Sequence, residues 1–302
     1  MNLSNSDELL INAQLALQTA QKKTFPTGMV STTFDHKGRE DDTVKVLVLG
    51  AGEDAAAYDA STNNYDKEGT GSHDFVDVKL DQKFLNRVTL TPTQWKKLTP
   101  DAMNKIIQSN VNKLFKAQHD SIYALVLDAN FSQKIVVGGD TAFDSSVITD
   151  ILKTDYLEDM IGVEDPRVLL KPAYYQNLME GLTDVSANGG DDVNVGGMRA
   201  RPFRGLDFMK SNLVPANGEN LVGFATNGAG LLLGTGVSDE FEGDDIGSAK
   251  PWFSQVFSTP EGFAYRMTIN GVSGTKKVNI VFDAVWGVQV GETTGLTRLV
   301  SA

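Results

Sequence analysis

Over the first twenty residues the apolar positions Leu3, Leu9, Leu10, Ala13, Leu17 and Ala20 fall near one helical stripe, which ends at Lys22, Lys23 and the breaker pair Phe25-Pro26. The spacing predicts a short amphipathic arm. A lone helix of this length is marginal in water, so the apolar side carrying Leu9, Leu10 and Leu17 needs another surface. Period two then takes over: residues 44–49 read as a strand, and in residues 75–80 Val76, Val78 and Leu80 alternate with Asp77, Lys79 and Asp81. Between them, residues 61–74 are too polar to form a core of their own. The pattern predicts a long two-stranded arm whose tip, with Tyr65, Lys67, Glu68 and His73, rests on something else, because an unsupported hairpin is marginally stable.

The clearest element is a helix over residues 100–128, with Thr99 as N-cap, Pro100 at its first position and Asp101 in its first turn. Met103, Ile106, Ile107, Val111, Leu114, Gln118, Ile122 and Leu125 draw one stripe along a rod of roughly 42 Å, and Lys105, Lys113 and Lys116 interrupt the opposite face. Such a helix packs one side on a sheet and leaves the other wet. After Gly138-Gly139 a helix is expected over 145–162, then a short buried strand at Val168, Leu169 and Leu170. Lys171-Pro172 opens another helix over 173–180, with Gly181 placed to stop it. Residues 183–197 read as a loop, 204–215 as a strand closed by Pro215, and 221–226 as a further strand before the small-residue run 227–236. Toward the C-terminus Phe263, Tyr265, Met267 and Ile269 alternate with polar neighbours, as do Val278, Ile280, Phe282, Ala284 and Trp286, around a hairpin turn at 270–275. There is no repeat and no linker, and the fold class is α+β.

Composition narrows the function. The 302 residues are 41% hydrophobic, enough for a sizeable core. The 27 Lys and Arg against 39 Asp and Glu give a net charge of −12, which repels a phosphate backbone at long range. Without cysteine there is no disulfide, thiolate nucleophile or thiolate metal site, as fits a reducing cytoplasm. Asp7 and Glu8 stand where a signal peptide is basic, and no stretch approaches the roughly 20 apolar residues of a membrane helix. With Met1 at the start, no long propeptide is expected to have been removed.

Chemistry-bearing motifs are few. Residues 44–57 run a strand into Gly50-Ala51-Gly52-Glu53-Asp54-Ala55, which matches a dinucleotide-binding fingerprint. That site needs a helix of about three turns and then a parallel strand ending in an acid, whereas Tyr58-Asp-Ala-Ser-Thr-Asn-Asn-Tyr65 should fray. A small-residue turn is the better reading. His36, His73 and His119 show no metal-ligand spacing and read as structural or solvated. No G-x-S-x-G elbow exists, and Gly228-Ala-Gly230 lacks a P-loop lysine. The acidic loops at 189–194 and 239–245 lack the alternate ligands of an EF-hand and read as solvated. No catalytic residue, metal or cofactor is expected.

The order of these elements resembles the major capsid proteins of tailed bacteriophages, with the HK97-type fold, over most of the chain. The polar arm between Val44 and Leu80 resembles the family's extended E-loop, and the helix over 100–128 its spine helix in the P-domain. Arg167-Val-Leu-Leu-Lys-Pro-Ala-Tyr-Tyr-Gln-Asn-Leu-Met179 is similar to the strand and proline-opened helix of the A-domain. Arg204-Gly-Leu-Asp-Phe-Met-Lys-Ser-Asn-Leu-Val-Pro215 and Leu221-Val-Gly-Phe-Ala-Thr-Asn-Gly-Ala-Gly230 look like the elements that follow it. The resemblance implies an N-terminal arm (1–42), the E-loop and its strands (43–81), a P-domain (82–135), an A-domain (136–250) and C-terminal strands returning to both (251–302). It further implies a non-enzymatic shell subunit forming pentamers and hexamers around double-stranded DNA, with a portal protein and a separate scaffolding protein as partners and the virion, assembled in the bacterial cytoplasm, as its place. Tyr65, Lys67, Glu68 and His73 of the arm, and Leu9, Leu10 and Leu17, would be inter-subunit contacts. Lys67 is the only lysine of the polar stretch, and no motif supplies a crosslinking partner. The alternatives are an encapsulin-like protein compartment and a dinucleotide-dependent enzyme using residues 50–55.

Overall fold

A computed structural model describes residues 6–24, 29–35, 38–49, 73–153, 166–186, 206–237, 252–259, 262–272 and 274–302. In chain order the elements are α1 (Ser6–Thr24), β1 (Ser31–Phe34), β2 (Thr43–Leu49), β3 (His73–Lys79), β4 (Gln82–Leu90), α2 (Pro92–Lys97), α3 (Pro100–Tyr123) and β5 (Lys134–Val137). They continue with α4 (Ser145–Leu152), β6 (Arg167–Leu170), α5 (Pro172–Ser186), β7 (Asp207–Lys210), β8 (Leu221–Thr226) and β9 (Leu231–Gly236). The last are β10 (Phe253–Ser258), β11 (Ala264–Gly271), β12 (Val278–Val290) and β13 (Leu296–Ser301).

β12 is the axis of the first sheet, whose order is β1-β9-β12-β11-β10 with β4 also on β12. Its first half pairs antiparallel with β11 (Val278 opposite Gly271) and with β4 (Val278 opposite Leu90), and its second half pairs with β9 (Val285 opposite Gly236). Alternation sends Ile280, Phe282, Ala284 and Trp286 to one face, where they share a core with Met103, Ile107, Val111, Leu114, Phe115 and Ile122 of α3. The second sheet runs β5-β13-β8-β6-β7. Its Leu169, Phe224 and Leu296 join the α3 core. From the other face Val168, Leu170, Phe208 and Leu299 pack on Val147, Ile148 and Ile151 of α4 and on Tyr174, Tyr175 and Leu178 of α5.

α3 starts where the sequence places it, with Thr99 Oγ1 accepting from Ala102 N–H at 3.3 Å. It stops at Tyr123, five residues before the expected Asp128. Asn217, at φ 51° in the β7–β8 turn, donates its amide to the Tyr123 and Val126 carbonyls at 2.9 and 2.7 Å, and Asn130 donates to the Leu125 carbonyl at 2.7 Å. These bonds satisfy the orphan carbonyls that another turn would have taken up. Close by, fully buried Arg298 of β13 donates Nε to the Phe131 carbonyl at 2.7 Å and its terminal nitrogens to Asp128 and Glu219. One guanidinium thus binds the loop after α3, the β7–β8 turn and the second sheet.

Other boundaries shift for local reasons. α5 runs through Gly181, because a helical glycine costs only about 1 kcal/mol against alanine and Tyr174, Tyr175 and Leu178 are buried. Among the described residues the strand expected over 204–215 is Asp207–Lys210, where its parallel partner β6 offers four residues. The small-residue run 227–236 contains a strand, β9, whose every residue is buried. α4 ends at Leu152, and residues 154–162 of the expected helix lie outside the described residues.

β2 and β3 form a separate antiparallel pair, Val44 opposite Val78 and Leu47 opposite Phe75. Val46, Val48 and Val78 face Leu232 and Ala229, while Val44 joins Leu80 and Val285. The hairpin lies this close because β9 and β12 present glycine beneath it: Gly234 and Gly287 are cross-strand partners. A Cβ on Gly287 would stand 1.8 Å from the Lys79 carbonyl oxygen, and one on Gly236 would stand 2.5 Å from Leu80 Cδ1.

Gly287→Ala should therefore lift the hairpin and lower unfolding stability by about 1–3 kcal/mol in a urea titration. Gly139→Ala, where an added Cβ meets nothing within 4 Å, should stay within about 0.5 kcal/mol. Burial also pushes the phenols of Tyr123 and Tyr265 up. The folded form then holds protons that the unfolded chain releases near pH ~10, so this stability is intact below that pH and lost as the pH rises above it. Cooperative alkaline unfolding should accompany a late rise of phenolate absorbance. A phenolate rise complete before any loss of near-ultraviolet dichroism would refute the assignment.

Candidate assembly surfaces

α1 carries two apolar faces. Ala13, Ala16 and Leu17 are buried in the core shared with α3, with Leu10 packed at its margin. Tyr265 O–H donates to the Ala13 carbonyl at 3.0 Å, and the Gln14 amide donates to the Ser258 carbonyl at 2.9 Å. The surface that this stripe requires is thus the chain's own body, and Leu17 faces inward. Ile11 and Leu15, one turn apart on the other side, remain 66% and 54% exposed. The sequence held that signal as a second i, i+4 pair out of phase with the first. The Leu9 side chain lies outside the described residues.

The hairpin is likewise two-sided. Its inner valines rest on β9 and β12, while Lys45, Leu47, Phe75 and Asp77 line the outer face, with Phe75 59% exposed. Leu47 and Phe75 form an apolar cross-strand pair where alternation calls for polar residues. The base is pinned by Lys79–Asp41 and Lys83–Glu40 ion pairs, both at 2.8 Å. The Asp41 carboxylate, through its hydrogen bond and charge, raises the Lys79 pKa. His73 opens β3. Its side chain, and all of Tyr65, Lys67 and Glu68, lie outside the described residues.

Of the three histidines only His119 has a described side chain, and His36 lies outside the described residues. His119 is fully buried on α3, its Nδ1–H donating to the Phe115 carbonyl at 2.5 Å and its ring edge-on to Tyr123 at 5.4 Å. Residues 50–55 and both acidic loops lie outside the described residues. The strand before the glycines, however, pairs antiparallel with the next strand, whereas a dinucleotide site needs parallel neighbours. Among the described residues no three His, Asp or Glu side chains converge as a metal site, and no helix is long and apolar enough to cross a membrane. A cleft of about 680 Å³ between α1, β1 and the β10–β11 turn is lined by Gln14, Gln18, Thr32, Thr33, Ser258 and Thr259. Among the described residues its lining offers hydroxyls and amides and no acid or base.

No protein-family model matches the sequence, and neither does any curated protein. Solved structures do match. The capsid of the cyanophage P-SCSP1u is 14% identical, with 91% of this chain and 86% of that chain covered at a TM-score of 0.54. The mature capsid of bacteriophage PhiM1 is 8% identical, with 93% and 87% covered at 0.52. A virus-like particle from Pyrococcus furiosus is 10% identical, with 98% and 99% covered at 0.51. At such identities the likeness shows the fold, an α+β capsid-type architecture consistent with the HK97-like one.

The two faces of α1 should separate in mutation. Leu17→Ala should cost about 2–5 kcal/mol of stability in denaturant unfolding. Ile11→Ser with Leu15→Ser should change it by no more than about 0.5 kcal/mol per site and act on association alone, read by light scattering.

Proposed function

We propose that this chain is a structural subunit that assembles with copies of itself into a closed icosahedral shell, the head of a tailed bacteriophage that encloses double-stranded DNA. The observation that supports the reading most is the reach of the structural likeness: the match to the cyanophage capsid covers 91% of this chain and 86% of that chain. The exposed pairs Ile11–Leu15 and Leu47–Phe75 sit on the elements that would cross to neighbours. Each contact can be weak, because a subunit held by many neighbours gains from multivalency. The net charge of −12 suits a wall past which packaged duplex slides.

In this reading residues 1–42 are the N-terminal arm, 43–81 the E-loop, 82–135 with α3 the P-domain, 136–250 the A-domain, and 251–302 the strands that return to both. Pentamers and hexamers are the building units, with a portal protein and a separate scaffolding protein as partners. The finished protein resides in the virion after assembly in the host bacterial cytoplasm. A second reading, a closed protein compartment of encapsulin type, draws on the near-complete overlap with the Pyrococcus furiosus particle.

Negative-stain microscopy of the purified protein should show closed icosahedral particles. Cylinders, or a strict monomer at high concentration, would end the proposal. Protected DNA inside particles taken from infected cells separates the phage head from the compartment. Replacing residues 61–72 by a short Gly-Ser link should leave a folded, soluble subunit that no longer closes shells, and normal particles from it would remove the arm from the assembly scheme.

A further inference from the structure

One end of the first sheet gathers positive charge that no carboxylate among the described residues pairs with. The β11–β12 turn is tight, with Val272 N–H donating to the Lys277 carbonyl at 3.0 Å and Gly274 at φ 71°. It exposes Lys276 and Lys277. Because Val278 pairs with Leu90, this turn stands beside Thr91, the N-cap of α2. The last turn of α2 carries Lys96 and Lys97, within about 9 Å of Thr91 at 1.5 Å per residue. Trp252 lies against the same end, 49% exposed, its Cζ2 placed 3.2 Å from a Cβ on Gly271.

Among the described residues Lys79, Lys83, Lys105, Lys116 and Lys153 each hold a carboxylate, whereas these four lysines hold none. Four like charges beside an exposed indole, on a chain of net charge −12, form a surface for an acidic partner with an aromatic or apolar residue in it. The densest such segment in the sequence is Asp239, Glu240, Phe241, Glu242, Asp244 and Asp245.

We propose that the tip formed by Lys96, Lys97, Lys276, Lys277 and Trp252 docks the acidic segment 239–245 of a second copy, so that each subunit carries both halves of a repeating electrostatic contact. This rests on the self-assembling reading above. Duplex DNA is the less favoured occupant, because the rest of the chain repels phosphate while the acidic segment is supplied once per copy.

Wild-type particles are scored first, since their absence bears on the assembly reading alone. Given particles, Lys276→Glu with Lys277→Glu should cut the yield about tenfold or more. Subunit melting should be unchanged, and Lys276→Arg with Lys277→Arg should retain particles. Adding Asp244→Lys and Asp245→Lys to the glutamate variant should restore them, and wild-type particles should loosen as salt rises. Full yield from the glutamate variant, or no rescue by the swap in a folded protein, would overturn the proposal. So would salt-sensitive binding of a labelled DNA duplex that the glutamate substitutions abolish.

Discussion

The Lys79 carbonyl oxygen lies where a methyl group on Gly287 would stand, and Gly234 opposite Gly287 leaves the same room beneath Val78. Backbone here rests on backbone. Two bare positions on adjacent strands let the β2–β3 hairpin settle onto the sheet through a row of valines, and the ion pairs of Lys79 and Lys83 fix its root from the side. The hairpin's direction is thereby set by the rigid sheet.

The two sheets need a comparable fastening. α3 spans the first and ends against the second, and its terminal carbonyls are answered by Asn217 from the β7–β8 turn. Arg298 adds three partners from two segments, the loop after α3 and the β7–β8 turn. The guanidinium is buried while Asp128 stays largely exposed, so water still reaches one side of the cluster. The desolvation cost is then smaller than for a pair sealed inside a core. What is gained is a fixed angle between the α3 layer and the second sheet.

Much of this was legible in the residues. The capped start of α3, the alternation of β11 and β12, the strand before Pro172 and the two strands of the hairpin all follow from period and punctuation. The end of α3 was not, because it is decided by Asn217, far away in sequence. β4 was missed as well: Phe84, Leu85 and Val88 break strict alternation, as the strand meets β12 on one edge and lies near α3 on a partly exposed face. β9 read as a small-residue run because its glycines serve the hairpin rather than the strand. The outward faces of α1 and the hairpin were hidden for another reason. Pattern tells that a segment has an apolar side, and packing decides which of two apolar sides is taken by the chain's own body.

The pairings of β12 also govern when the chain can complete its fold. Thr89 on β4 hydrogen-bonds Asn279 across 190 residues of sequence, and Ser31 at the start of β1 reaches Gly228 across 197. During synthesis, therefore, the arm, the hairpin and the long helix all emerge before the strand that orders them. A ribosome-bound fragment would hold apolar surface without a sheet to cover it, and the cell's chaperones would have to shield it. The delay fixes an order of folding: the hairpin gains its footing on β9 and β12 only after the distal strand has been made.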